Sequence, residues 1–242
     1  MDLSFIKREV DPELILEKLI DGVCATNKLI GIGLDSITDD KRQELILTYE
    51  KLVYEEAKEL QHAVDTKDKV EFLDAVVDTL VVGCYYLLLK GEQYSNLTYL
   101  EQDQTLEDYT KWFLNEINSN EVDTSELFFL ASEIFFKSDV KYESAVETVL
   151  QSNLSKFPTH EELNDQYDSA NTWFDKQGLI DWQCKRIEDK GRYTGVHCKK
   201  VVDSEGEERL TFWATHDNGE EKLKYVKPIT FTEPNFSACF KL

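Results

Sequence analysis

Between about Leu14 and Phe157 apolar residues recur three or four positions apart, in long segments rich in helix formers. This periodicity predicts helices near 12–29, 39–65, 68–90, 105–118 and 124–136, with a sixth near 140–153. The punctuation agrees. Gly31, Gly33 and Asp35-Ser36 break the first pair, Gly91 ends the third helix, and Asp123-Thr124-Ser125 offers an N-cap for the fifth. The four prolines, Pro12, Pro158, Pro228 and Pro234, all fall outside this span. The pattern changes after Pro158. Trp173, Trp182 and Trp213 appear there with strand-like runs at 193–202 and 209–214, and Gly206 and Asp217-Asn218-Gly219 mark hairpin turns. The expectation is a mainly α protein, with a helical bundle over 1–157 and a C-terminal α+β appendage over 158–242 that carries a small antiparallel sheet.

Charge narrows the choice of partner. With 242 residues the chain can bury a sizeable core, but 48 acidic against 27 basic residues leave a formal net charge of -21. Such a field repels DNA, RNA and anionic lipid, so neither a nucleic-acid polymer nor a membrane is expected as partner. A small anionic substrate remains compatible, because bound divalent cations reverse the local field of carboxylates. Cys24, Cys84, Cys184, Cys198 and Cys239 are odd in number and widely spaced, which reads as free thiols in a reducing compartment. The first residues lack the long apolar segment of a signal peptide, and the longest apolar run, 80–89, is short for a bilayer. The expected location is the cytoplasm.

The candidate chemistry lies between Tyr49 and Val82. At 100° per residue Glu56 and Glu59 share a face with Tyr49, Leu52, Leu60 and Ala63, while Glu55, Lys58 and His62 point elsewhere. In the next helix Glu71, Asp74 and Asp78 form a narrow stripe on a surface otherwise covered by Phe72, Leu73, Val76, Val77, Leu80 and Val81. If the two helices fold back about residue 65, Glu59 meets Glu71 and Glu56 meets Asp74, with Asp78 a turn further on. Anions gathered between apolar walls cost several kcal/mol each unless cations or protons neutralise them. Oxygen-ligated Mg²⁺ is the expected remedy. The plain alternative, a solvated acidic face, applies to any one of these residues singly.

Two further patterns bear on the site. Glu59-x-x-His62 has the spacing used by di-iron bundles, but His160, His197 and His216 lack a Glu three residues earlier, so His62 reads as a surface residue. The run at 151–157 is either an ordinary helix C-terminus or a phosphate site in which Asn153 and Lys156 supply an amide donor and a cation.

These residues resemble the all-α nucleoside triphosphate pyrophosphohydrolases, a family that includes MazG-type enzymes, dimeric dUTPases and phosphoribosyl-ATP pyrophosphohydrolase. Their E-x-x-E…E-x-x-D signature is matched by Glu56, Glu59, Glu71 and Asp74, preceded by Glu55. The nearer likeness is to MazG-like proteins of bacteriophages. Glu71, Asp74, Asp78 and Gly83 match their second helix, Ser152 to Lys156 their Ser-Asn-x-Ser-Lys motif, and Lys227, Pro234 and Asn235 their closing element. An alignment on Asp78 in place of Asp74 puts Ala75 where relatives have glutamate, so the two aspartates compete for the role of main ligand. The stretch from Lys156 to Lys227 is longer than in compact members.

The resemblance implies a hydrolase that converts a nucleoside triphosphate to the monophosphate and pyrophosphate. Glu56, Glu59, Glu71 and Asp74 would be catalytic, the same four with Asp78 would hold Mg²⁺ (or Mn²⁺ in its place), and Asn153, Lys156 and Lys227 would bind substrate. It also implies a homodimer or homotetramer, and a dNTP substrate, dGTP first, in the host cytoplasm if phage-encoded. Tyr49, Tyr54, Phe72, Tyr85 and Tyr86 are all candidates for stacking on the base, and spacing selects none of them. The alternative is a non-catalytic helical interaction protein with an acidic surface. A di-iron oxidoreductase ranks third.

Overall fold

The computed structural model describes residues 11–92, 104–167 and 175–241. The N-terminal segment considered for a signal peptide, and Trp173, lie outside them. The described part is mainly helical with a small antiparallel sheet towards the C-terminus. The helices expected from periodicity are present as α1 (Pro12–Leu29), α2 (Asp39–Thr66), α3 (Lys69–Lys90), α4 (Leu106–Ile117), α5 (Thr124–Lys137) and α6 (Tyr142–Ser155). Two compact units divide the chain: Met1–Cys24 with Ile37–Leu150 and Asn235–Leu242, and Ala25–Ser36 with Gln151–Pro234. The division thus falls inside α6, seven residues before the composition changes at Pro158 (157 − 150 = 7).

In the first unit α3 is the central element, with Leu73, Val76, Val77, Leu80 and Tyr85 almost wholly buried against α2 and α5. Local chemistry fixes the ends of these helices. The Thr38 side chain caps α2, Thr105 and Asp108 form a reciprocal capping box on α4, and Asp123 accepts from the backbone N–H groups of Ser125 and Glu126 on α5. Gly91 closes α3 in the left-handed conformation at φ 75°. The last residues also belong to this unit because Phe236 and Cys239 are buried and Val140 bridges Phe240. By length and hydropathy α3 would pass for a membrane span, but 67% of its most apolar window is buried inside the protein, as in the core helix of a bundle.

The second unit holds α7 (His160–Asp165), α8 (Lys176–Glu188) and strands β1 (Tyr193–Thr194), β2 (His197–Val202), β3 (Glu208–Asp217) and β4 (Glu220–Tyr225). β3 is the hub and pairs antiparallel with each of the others. Asn218 and Gly219 link β3 to β4 with φ of 51° and 81°, the doubly left-handed geometry for which Asn-Gly is suited. Leu210, Phe212 and Ala214, alternate residues of β3, pack with Leu163, Leu179, Ile180 and Ile187 of α7 and α8. The unit therefore has its own helix-on-sheet core.

Candidate metal centre and phosphate site

The turn between α2 and α3 decides which acids meet. Lys67 ends α2 in the left-handed conformation at φ 59°, and its N–H and that of Asp68 return to the Val64 and Ala63 carbonyls. The Asp68 carboxylate then accepts from the N–H groups of Val70 and Glu71 and starts α3. The fold-back is thus centred near residues 67 and 68, two to three positions later than the 65 predicted. With the later turn, Asp78 acts on Glu56 more strongly than Asp74 does.

Electrostatics agree with this register. The Glu56 carboxyl, part-buried between the helices, is pushed up to about 8, first by loss of water and then by the charges of Asp78, Glu59, Asp74 and Glu55 in decreasing order. Glu56, Asp74 and Asp78 are all part-buried, whereas Glu59 and Glu71 are exposed. Of the predicted set, the structure therefore gathers Glu56, Asp78, Asp74 and Glu59, and it leaves Glu71 on the surface of the first turn of α3. Among the described residues no three Asp, Glu, His or Cys side chains stand as a ready-made metal group. The donor chemistry nevertheless fits Mg²⁺, being all carboxylate, and burial together with the neighbouring acids raises the Glu56 carboxyl.

Asn153, Lys156 and Lys227 gather in the second unit. The Lys156 ammonium donates to the Asn153 side-chain oxygen at 2.6 Å and lies 5.6 Å from the centre of the Phe231 ring. The Lys227 ammonium lies 3.9 Å from the centre of the same ring and 3.5 Å from Glu233. Hydrogen bonds hold the two stretches in place: Ser152 donates to the Thr232 carbonyl, Thr230 to the Ser155 carbonyl, and the Tyr225 hydroxyl to the Lys156 carbonyl. Sequence reasoning linked Lys156 and Lys227 only through the family resemblance. It missed Phe231, the ring that both cations approach, for which no spacing signal exists.

His62 is exposed, as its spacing suggested, and the five cysteines are free thiols. Searches of protein-family models, curated proteins and solved structures find no match to this chain.

Proposed function

We propose that this chain is a Mg²⁺-dependent nucleotide pyrophosphohydrolase of the all-α, MazG-like type, which converts a deoxynucleoside triphosphate, dGTP first, to its monophosphate and pyrophosphate. The observation that carries the reading is the part-burial of Glu56 on one helix hairpin with Asp78, Glu59 and Asp74 close enough to raise its carboxyl further. Carboxylates brought together in a part-buried seam are neutralised by a cation or by protons. In the family that the motifs resemble, the compensating charge is a divalent cation.

Glu56, Asp78, Asp74 and Glu59 would hold the cation, and Glu71 is exposed in the first turn of α3. When bound, Mg²⁺ offsets the charge of the triphosphate oxygens and makes water more acidic. Whichever carboxylate of the set stays off the metal and ionised would accept the proton of the water that attacks the α-phosphorus. Lys156 and Lys227, which share the Phe231 ring within the second unit, are the candidate phosphate-binding cations; the leaving group is pyrophosphate. Function as a homodimer or homotetramer in the cytoplasm completes the reading.

The test is pyrophosphate release from a panel of dNTPs and NTPs with Mg²⁺ or Mn²⁺, for the wild type and Glu59→Gln. Metal-dependent release that the substitution abolishes is expected, and the best substrate identifies the base. A second reading, the non-catalytic helical interaction protein, is favoured by the lack of a ready-made three-residue metal group among the described residues. It is the one left standing if no nucleotide is cleaved while both proteins remain folded.

A further inference from the structure

We propose that Tyr49 is the platform on which the base of the bound nucleotide stacks, an inference that rests on the pyrophosphohydrolase reading and names a specificity residue within it. Glu56 and Asp78 mark the crowded centre of the α2–α3 seam. Tyr49 precedes Glu56 by seven residues and Tyr85 follows Asp78 by seven, so each tyrosine lies two helical turns from its acid on the same helix stripe. Because the helices run in opposite directions, both displacements lead the same way along the seam, and the two rings meet with centroids 4.9 Å apart and planes at 51°. Seven residues of helix rise about 10 Å. That matches the reach of a nucleoside from its α-phosphate to its base.

Burial assigns the parts. Tyr85 is fully buried and offers no face to a ligand, while Tyr49 is only part-buried and rests against it. The inner ring supports the outer one. The other stacking candidates are placed elsewhere. Tyr54 is exposed with the Lys58 ammonium 5.3 Å from its ring centre, and Tyr86 is buried with the Lys90 ammonium 5.2 Å from its own. Phe72 lines a mainly apolar cavity of about 490 Å³ with Leu73, Leu106, Val140 and Phe240. At 100° per residue, Leu73 and Phe72 flank the wall of α3 turned away from the Asp74 and Asp78 stripe. Only Tyr49 combines the acid-bearing face with partial exposure.

The inference is tested by calorimetric titration in Mg²⁺ of two ligands, α,β-methylene-dGTP, which resists cleavage at the α-phosphorus, and inorganic tripolyphosphate, which has no base. The proteins are the wild type, Tyr49→Leu, Tyr49→Phe and the control Tyr54→Leu, each with its thermal midpoint measured. Tyr49→Leu is expected to weaken the nucleotide about 10-fold or more, as loss of one base–aromatic stack does, and to leave tripolyphosphate unchanged. Tyr49→Phe should restore nucleotide affinity, and Tyr54→Leu should match the wild type. Equal nucleotide affinity in wild type and Tyr49→Leu, or an equal loss for both ligands, would overturn the assignment. If the wild type releases pyrophosphate from nucleotides while Tyr49→Leu binds as it does, only the role of Tyr49 falls. If the wild type neither binds these ligands nor cleaves nucleotides, the pyrophosphohydrolase reading falls, and the base platform with it.

Discussion

Gly83 of α3 sits so close to Phe128 of α5 that a Cβ added at 83 would lie 2.4 Å from the ring Cδ2. Glycine in mid-helix costs about 1 kcal/mol relative to alanine, so its presence here reflects the close approach of the two helices. Gly83→Ala must displace a fully buried ring and is expected to lose about 1–2 kcal/mol net in urea unfolding. Adding Phe128→Leu makes room, and the double variant should lose less than the sum of the two single losses.

The burial of Glu56, with the acids crowded around it, gives stability a definite dependence on pH. Its native pKa, about 8, lies above the ordinary value of 4.5, so between these limits the native state holds a proton that the unfolded chain has released. The contribution is full below about 4.5 and is lost as pH rises through 8. Discounted for partial exposure, the loss is on the order of 1–2 kcal/mol. Denaturation of wild type and Glu56→Gln from pH 5 to 9 (roughly the span of that titration) should show this fall in the wild type only. Parallel profiles would contradict it.

Arg209 should be the most sensitive charged residue of the second unit. Its guanidinium is almost wholly buried, and it donates to Asp203 at 2.7 Å, to Glu207 at 2.9 Å and to the Phe157 carbonyl at 3.1 Å. Arg209→Met leaves the Asp203 carboxylate and the Phe157 carbonyl without this partner and is expected to cost about 2–3 kcal/mol in thermal or urea unfolding. The Arg209 hydrogen bond holds the Asp203 carboxyl below its ordinary value. That contribution is present above the usual aspartate pKa and is lost as pH falls through the depressed one, so acid should weaken the wild type more than the variant.

The paired lysines give a kinetic prediction. If Lys156 and Lys227 meet phosphate, Lys227→Ala should raise KM for the triphosphate about 10-fold, in line with loss of one charge-assisted contact. The Tm should change little, because Lys227 is exposed. A change in Tm with no change in KM would assign the lysine to its contacts with Phe231 and Glu233 alone.

The helices were legible because each physical signal was local. Asp123 caps α5 and Gly91 ends α3 where their residue types indicated, and Asn218-Gly219 turns the hairpin as expected. α7 and α8 were not predicted. α7 has only six residues, and the apolar face of α8 reduces to Leu179, Ile180 and Ile187 between charged positions. The return of Phe236 and Cys239 to the helical unit depends on contacts distant in sequence, which no local pattern carries. The sequence put Glu71 among the gathered acids, but it stands exposed in the first turn of α3. Placing the turn at 65 overlooked Asp68, whose carboxylate caps α3, and the resulting slip exchanged Asp74 for Asp78 as the partner of Glu56.

The claim on which the rest depends is that the α2–α3 seam takes a divalent cation, and calorimetric titration of Mg²⁺ and Mn²⁺ into wild type and Glu56→Gln at constant pH tests it directly. Saturable binding by the wild type that is weakened about 10-fold or more in Glu56→Gln is the result predicted for a carboxylate ligand at the centre of the site. Equal binding by both proteins, or none by the folded wild type at millimolar metal, would contradict it and leave the acids as a protonated seam between two helices.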